Sequence, residues 1–248
     1  MPRSAPAVPL DSLPDTFRAA CVALRDGLLA ALGSDLRALY VYGATMFPET
    51  EGATDLDYHA LVSRPPTADQ RAALELVRDE MARDHPPYGG DLDGWLILLA
   101  DARRSAPPAH LVRTELRDGA WALHRAHWLA GRCVILHGPA PAKIVPEPTE
   151  AELRTALNFE LDFAVSGYSD AFAVLNACRI IRSVLERDVV QSKFGSAAWA
   201  LEHLPARYAE AIRGAMAAYR GDATAEQVAA LTAGRADILA LAARELGR

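Results

Sequence analysis

The feature that most constrains this chain is the proline-rich stretch at 138–148, because the residue pattern changes character on either side of it. Proline lacks a backbone N–H and glycine lacks a Cβ, so such a stretch interrupts helix and strand alike and reads as a linker. Before it, strands and helices alternate. Residues 13–32 place Phe17, Cys21, Leu24, Leu28 and Leu32 at helical spacing, with Gly33 as the stop. Residues 38–42 and 54–62 read as two short strands resembling a hairpin, Gly43 closing the first and Gly52 lying in the turn-rich segment between them. Thr67 heads an amphipathic helix running to Arg83, 95–100 is an apolar run suited to a third, buried strand, 111–129 turns helical, and 133–136 is a short apolar stretch. After the linker, Thr149 and Glu152 have the spacing of a capping box, and helices are expected over 150–165, 170–187, 192–204, 206–219 and 225–246, with no strand. The chain is therefore expected to be α+β, with a small mixed sheet and flanking helices in 1–140 and a helical bundle in 149–248.

A hydrophobic fraction of 51% supplies a core without covalent staples. The net charge of −6 speaks against a nucleic-acid partner, which needs a basic face, and suits a cationic small molecule, although solubility alone explains mild acidity. Cys21, Cys133 and Cys178 are odd in number, widely spaced and set among apolar neighbours. They read as buried thiols of a reduced compartment, with no zinc-ligand spacing. Residues 1–14 lack the apolar run of a signal peptide, and no stretch is long enough to span a membrane. A cytoplasmic monomer bound to neither membrane nor nucleic acid is expected.

The chemistry concentrates at Tyr42-Gly43-Ala44-Thr45, followed after a loop by Asp55-Leu56-Asp57. Side chains alternate along a strand, so Asp55 and Asp57 project from one side with their carboxylates close together. Two such carboxylates repel unless a cation joins them, and Mg²⁺ is a hard ion commonly shared between carboxylates and substrate phosphates. The turn at Gly43 lets the backbone approach a triphosphate, since no Cβ stands in the way. An Asp-x-Asp alone is weak evidence, and a second one stands at Asp91 and Asp93; solvated acids at a strand end are the plain alternative.

Gly43, the small residue after it, the loop and Asp55-Leu56-Asp57 resemble the signature of the polymerase-β-type nucleotidyltransferases. More specifically, 174–180, Ser192-Lys193, 198–205 and Ala218-Tyr219 resemble the helical domain of the streptomycin/spectinomycin adenylyltransferases, as do 136–139 with 150–161. The resemblance spans about 38–219. It implies an N-terminal nucleotidyltransferase domain and a C-terminal helical domain that bind ATP and an aminoglycoside between them, with Mg²⁺-dependent transfer of AMP to a hydroxyl. By the same resemblance Asp55 and Asp57 are the metal ligands, and Gly43, Ala44 and Thr45 hold phosphate. Arg179, Lys193 and Tyr219 contact the nucleotide, and Trp121 and Asp170 contact the substrate. Each has a plainer reading beside it: an internal ion pair for Arg179 and Lys193, with a carboxylate such as Glu202, and ordinary core for Trp121.

Two departures touch catalysis. The family has Ser after the turn glycine where this chain has Ala44, so Thr45 must supply any hydroxyl. Its general-base Glu falls here on Asp93, with Asp91 as competitor, and an Asp is about one bond shorter when a base must come within roughly 3 Å of the proton. These departures leave open a catalytically weakened or regulatory nucleotide-binding protein, or an AMP transferase acting on a protein. His59 shares the carboxylate face two residues beyond Asp57, where it could assist proton removal, bind metal or serve as scaffold.

Overall fold

The computed structural model describes residues 5–48, 54–167 and 169–248. Gly52 therefore lies outside the described residues, as do the first four of the chain. Contacts divide the chain into two compact units, one containing Met1–Met46 and Thr54–Pro148 and the other containing Thr149–Arg248.

In the first unit, helix α1 (Asp15–Leu32) ends at Gly33, as its apolar spacing and the glycine require. Strand β1 (Leu36–Tyr42) pairs antiparallel with β2 (Leu56–Val62) in the register Tyr42↔Asp57 and Tyr40↔His59. Helix α2 (Ala68–Asp84) starts at Thr67, whose hydroxyl accepts from the Gln70 N–H while the Gln70 side chain accepts from the Thr67 N–H. Two of its four orphan donors are thereby satisfied at the point where the helix begins. Strand β3 (Leu92–Leu98) pairs parallel with β2, helix α3 (Leu99–Ala102) follows it, and after α4 (Trp121–Leu129) the strand β4 (Val134–His137) pairs antiparallel with β1. The four-stranded sheet has the order β3-β2-β1-β4 and is mixed, as expected.

Several boundaries differ from the sequence reading: the first two strands occupy 36–42 and 56–62 rather than 38–42 and 54–62, so Asp55 precedes its strand. The third strand occupies 92–98 rather than 95–100, because pairing with β2 begins at Leu56↔Leu92, just after the Leu56 N–H donates to the Asp91 carbonyl. Hydrogen bonding to a neighbouring strand thus recruits Asp93 and Gly94, which no apolar pattern marks. The helix expected over 111–129 forms only from Trp121. The Leu111 N–H is used instead by the Leu96 carbonyl, and Ala109 bridges Arg117, so the segment before α4 is bound to β3 and to itself.

The face of the sheet carrying Ala38, Tyr40, Tyr42, Leu61 and Ile97 packs on Trp121 and Trp128 of α4. Alternation places Asp57 and His59 on the same face of β2 as Leu61, and Asp93 on that of Ile97 in β3.

The described residues of the second unit form helices and no strand: α5 (Glu150–Val165), α6 (Asp170–Glu186), α7 (Lys193–His203), α8 (Ala209–Arg220) and α9 (Ala225–Glu245). Thr149 and Glu152 form the expected capping box. The helix read over 206–219 divides into a 3₁₀ turn (Ala206–Tyr208) and α8, which ends at Gly221 in the left-handed region. No helix among the described residues is long and apolar enough to cross a membrane.

All three cysteines are buried as free thiols, and burial pushes each up to about 12. Since the thiolate is the reactive form, the folded protein should show no reaction with a thiol-specific chromogenic reagent at neutral pH, and denaturation should release all of its cysteines to titration. Rapid modification of the native protein would contradict this burial.

Candidate active site

Three acids lie at one end of the sheet, Asp57 and Asp93 paired across β2 and β3 and Asp55 one residue before β2. Asp55 stands just before β2 and Asp57 within it, both half-buried, while Leu56 between them is fully buried. That alternation is what a pleated chain with its acids on one side produces. Asp93 is directly paired with Asp57 in the parallel register, so these acids are neighbours across the strands on the α4 side. The Asp93 side chain is 63% exposed, with the Arg113 guanidinium 3.9 Å away. Asp91 lies before β3, outside the pairing.

Gly43 closes this group from β1. Its φ is +92°, and a Cβ there would sit 2.1 Å from Asp57 Oδ2. The glycine is thus required twice, by the backbone and by the carboxylate it accommodates. Ala44–Met46 continues as a 3₁₀ turn, which includes Thr45. We expect Gly43→Ala to lower unfolding stability by about 1–3 kcal/mol, the range for a non-glycine residue held at positive φ, measured by chemical denaturation. An unchanged midpoint would mean that the turn relaxes freely.

In the helical unit Arg179 is engaged internally. Its Nη2 lies 2.5 Å from Glu160 Oε2 and 2.6 Å from Asn176 Oδ1, and Asn176 also donates to Glu160. The internal ion pair allowed by the sequence is formed, with Glu160 of α5 rather than Glu202. Lys193, the first residue of α7, holds its Nζ 4.3 Å from the Phe172 ring centroid, and Tyr219 packs edge-on to Phe194. Asp170 ties α6 to α9, accepting from the Thr232 hydroxyl at 2.9 Å and facing Arg235 Nε at 3.2 Å. Because Glu160 is only 12% exposed, Arg179→Ala should strand a carboxylate and lower unfolding stability by about 1–3 kcal/mol. Urea titration of Arg179→Ala and Glu160→Gln checks this, and wild-type stability in both would remove the pair from the fold's energetics.

Trp121 is 1% exposed and belongs to the core. Its indole N–H donates to the Arg104 carbonyl, so its surroundings support the plain core reading and give the substrate assignment none.

Sequence reasoning missed a second polar group in the same unit. The Asp118 carboxylate is buried, and its Oδ2 lies 3.1 Å from His59 Nε2 and 2.8 Å from His124 Nδ1. Burial drives the His59 imidazole down to about 4, against the opposing pull of Asp118. Burial would raise Asp118, but the charge and hydrogen bond of His124, then the contacts with His59, hold its carboxyl below the ordinary range. His59 was visible by its place after Asp57. Nothing in the linear sequence links it to Asp118 and His124.

Residues 144–242 match the family model for the C-terminal domain of aminoglycoside adenylyltransferase. The fold is similar to a solved structure of the spectinomycin adenyltransferase AAD(9) from Enterococcus faecialis with ATP and spectinomycin. The TM-score is 0.72, with 93% of this chain and 99% of that one covered, at 16% identity. At that identity the likeness is one of fold. A search of curated proteins finds no match by sequence.

Proposed function

We propose that this chain, whose residues 144–242 match the family model for the C-terminal domain of aminoglycoside adenylyltransferase, transfers AMP from ATP to a hydroxyl of an aminoglycoside-like cationic molecule in a magnesium-dependent reaction. The observation that carries the reading is the pairing of Asp57 with Asp93 beside Asp55, at the turn where Gly43 leaves room for the Asp57 carboxylate. Such oxygen donors fit Mg²⁺, which Asp55 and Asp57 would hold. What a bound Mg²⁺ supplies there is neutralisation of the charge that develops on the α-phosphate.

The chain's own residues do the rest. Asp93 accepts the proton of the substrate hydroxyl, whose oxygen bonds to the α-phosphorus as the α–β phosphoanhydride bond breaks and pyrophosphate departs. The Gly43 turn presents backbone to the phosphates, and Thr45 offers the hydroxyl that Ala44 lacks. Lys193 and Tyr219 are assigned to the nucleotide. Arg179 joins them at the polyphosphate only by sharing its guanidinium between Glu160 and phosphate, a charge-assisted exchange its several donors permit. Asp170, with a side chain 37% exposed, keeps acidic surface for a cationic substrate.

Mass spectrometry of products after incubation with ATP, Mg²⁺ and an aminoglycoside panel tests the reading. A drug carrying one added AMP supports it. An AMP adduct on protein alone favours a protein-modifying enzyme, and tight ATP binding without any product favours a nucleotide-binding protein that does not turn over.

A further inference from the structure

The group formed by His59, Asp118 and His124 plays no part in the proposed transfer, yet it is the most unusual polar arrangement described in the first unit. One potential ligand atom from each residue lies within 4.8 Å of the other two. His59 is wholly buried and the side chains of Asp118 and His124 are 2% and 20% exposed. Both imidazoles converge on the same carboxylate oxygen. A buried carboxylate is costly without a compensating cation, and the polar partners seen at that oxygen are imidazoles.

The surroundings also bear on what could sit there. His59 packs against Tyr42, Trp121 and Trp128, with ring centroids 5.2, 5.7 and 5.0 Å away, and Tyr42 also covers His124 at 4.9 Å. Such an aromatic shell limits water and strengthens binding of a charge at the polar centre. His59 Nδ1 is buried without a hydrogen-bond partner, so this histidine is not simply a satisfied scaffold residue. The partial exposure of His124 leaves one side open for entry.

We propose that His59, Asp118 and His124 form a binding site for a borderline-soft divalent cation of the zinc class, separate from the carboxylates at 55 and 57. Two imidazoles and one carboxylate are a donor set that suits zinc, which takes nitrogen and oxygen ligands at about 2.0–2.2 Å in a tetrahedron. Ligand atoms around such an ion lie roughly 3.4 Å apart, so Asp118 Oδ2, now 3.1 and 2.8 Å from the two imidazole nitrogens, must draw back by a few tenths of an ångström, while those nitrogens, within 4.8 Å of each other, adjust to the same spacing. Three protein ligands leave a fourth position for water. The all-oxygen pair Asp55 and Asp57 prefers the harder Mg²⁺, so the two sites are distinguishable by metal.

The test uses the tag-free full chain, stripped by chelator and titrated with Zn²⁺ alone against a chromogenic competitor. One equivalent should bind and raise the melting temperature. Asp118→Asn and His124→Ala should each weaken that binding by on the order of 100-fold, and Asp57→Asn should leave it unchanged. In the unmutated protein, Co²⁺ should give tetrahedral visible absorption and paramagnetically shifted exchangeable imidazole N–H resonances, a readout that survives if a variant fails to fold. Absence of stoichiometric Zn²⁺ binding would overturn the proposal and leave a hydrogen-bonded network only. So would Zn²⁺ that is lost in Asp57→Asn but kept in Asp118→Asn and His124→Ala, or Co²⁺ bound without imidazole signals. None of these outcomes depends on AMP transfer.

Discussion

Asp57→Asn is expected to abolish metal-dependent AMP transfer, lowering turnover by on the order of 10² to 10³ or more, the scale of losing one key electrostatic contact to the transition state. The substitution keeps side-chain volume and removes one ligand charge. The fold should persist, since Asn fits the space that Gly43 leaves at this position and the backbone pairing of Tyr42 with Asp57 does not involve the side chain. Without Mg²⁺ the variant should be slightly more stable than the parent, because one of two adjacent carboxylates no longer repels the other. Steady-state kinetics over a Mg²⁺ series and thermal melts in chelator are the measurements. Turnover equal to wild type would exclude the carboxylates at 55 and 57 as the metal site.

The second large effect concerns the proton acceptor. Asp93→Asn should reduce the chemical rate by roughly 10² to 10⁴, the range for general-base catalysis, with ATP affinity close to wild type. Asp93→Glu should retain much of the rate, as the longer acid reaches the same proton from the same strand position. Asp91→Asn should be nearly silent, because Asp91 lies before β3 and outside its register with β2. Single-turnover rates with isothermal titration of ATP separate chemistry from binding. If Asp91→Asn were the inactive variant, the acid paired with Asp57 would not be the base. If neither variant were impaired but His59→Ala were, the proton would pass to the histidine.

Much of the architecture was legible in the residues because its causes are local. A helix start is written within a few positions, and Thr67 with Gln70 and Thr149 with Glu152 form reciprocal caps where their spacing allows them. The apolar spacing of α1 and its glycine stop are equally short-range, as is the burial of Leu56 between two less buried acids. The glycine before Ala44 marked a turn, although only the packed structure explains why no Cβ is tolerated there.

What stayed hidden depends on partners distant along the chain. β3 starts at Leu92 because β2 supplies the hydrogen-bonding edge, and this pairing, which no apolar run announces, sets Asp93 beside Asp57. The Leu96 carbonyl of β3 in turn takes the Leu111 N–H before α4, in a segment where periodicity extended a helix. Arg179 stood out on an apolar helix face, but its choice of Glu160 over Glu202 followed from which helix packs against α6. His59, Asp118 and His124 come together only when β2 and α4 pack face to face. The helix caps and the glycine stop of α1 are matters of neighbouring residues and could be read from the chain alone. Tertiary structure alone decided strand register, ion-pair partners and the buried histidine–aspartate group, since each is set by the contact free energy of segments far apart in sequence.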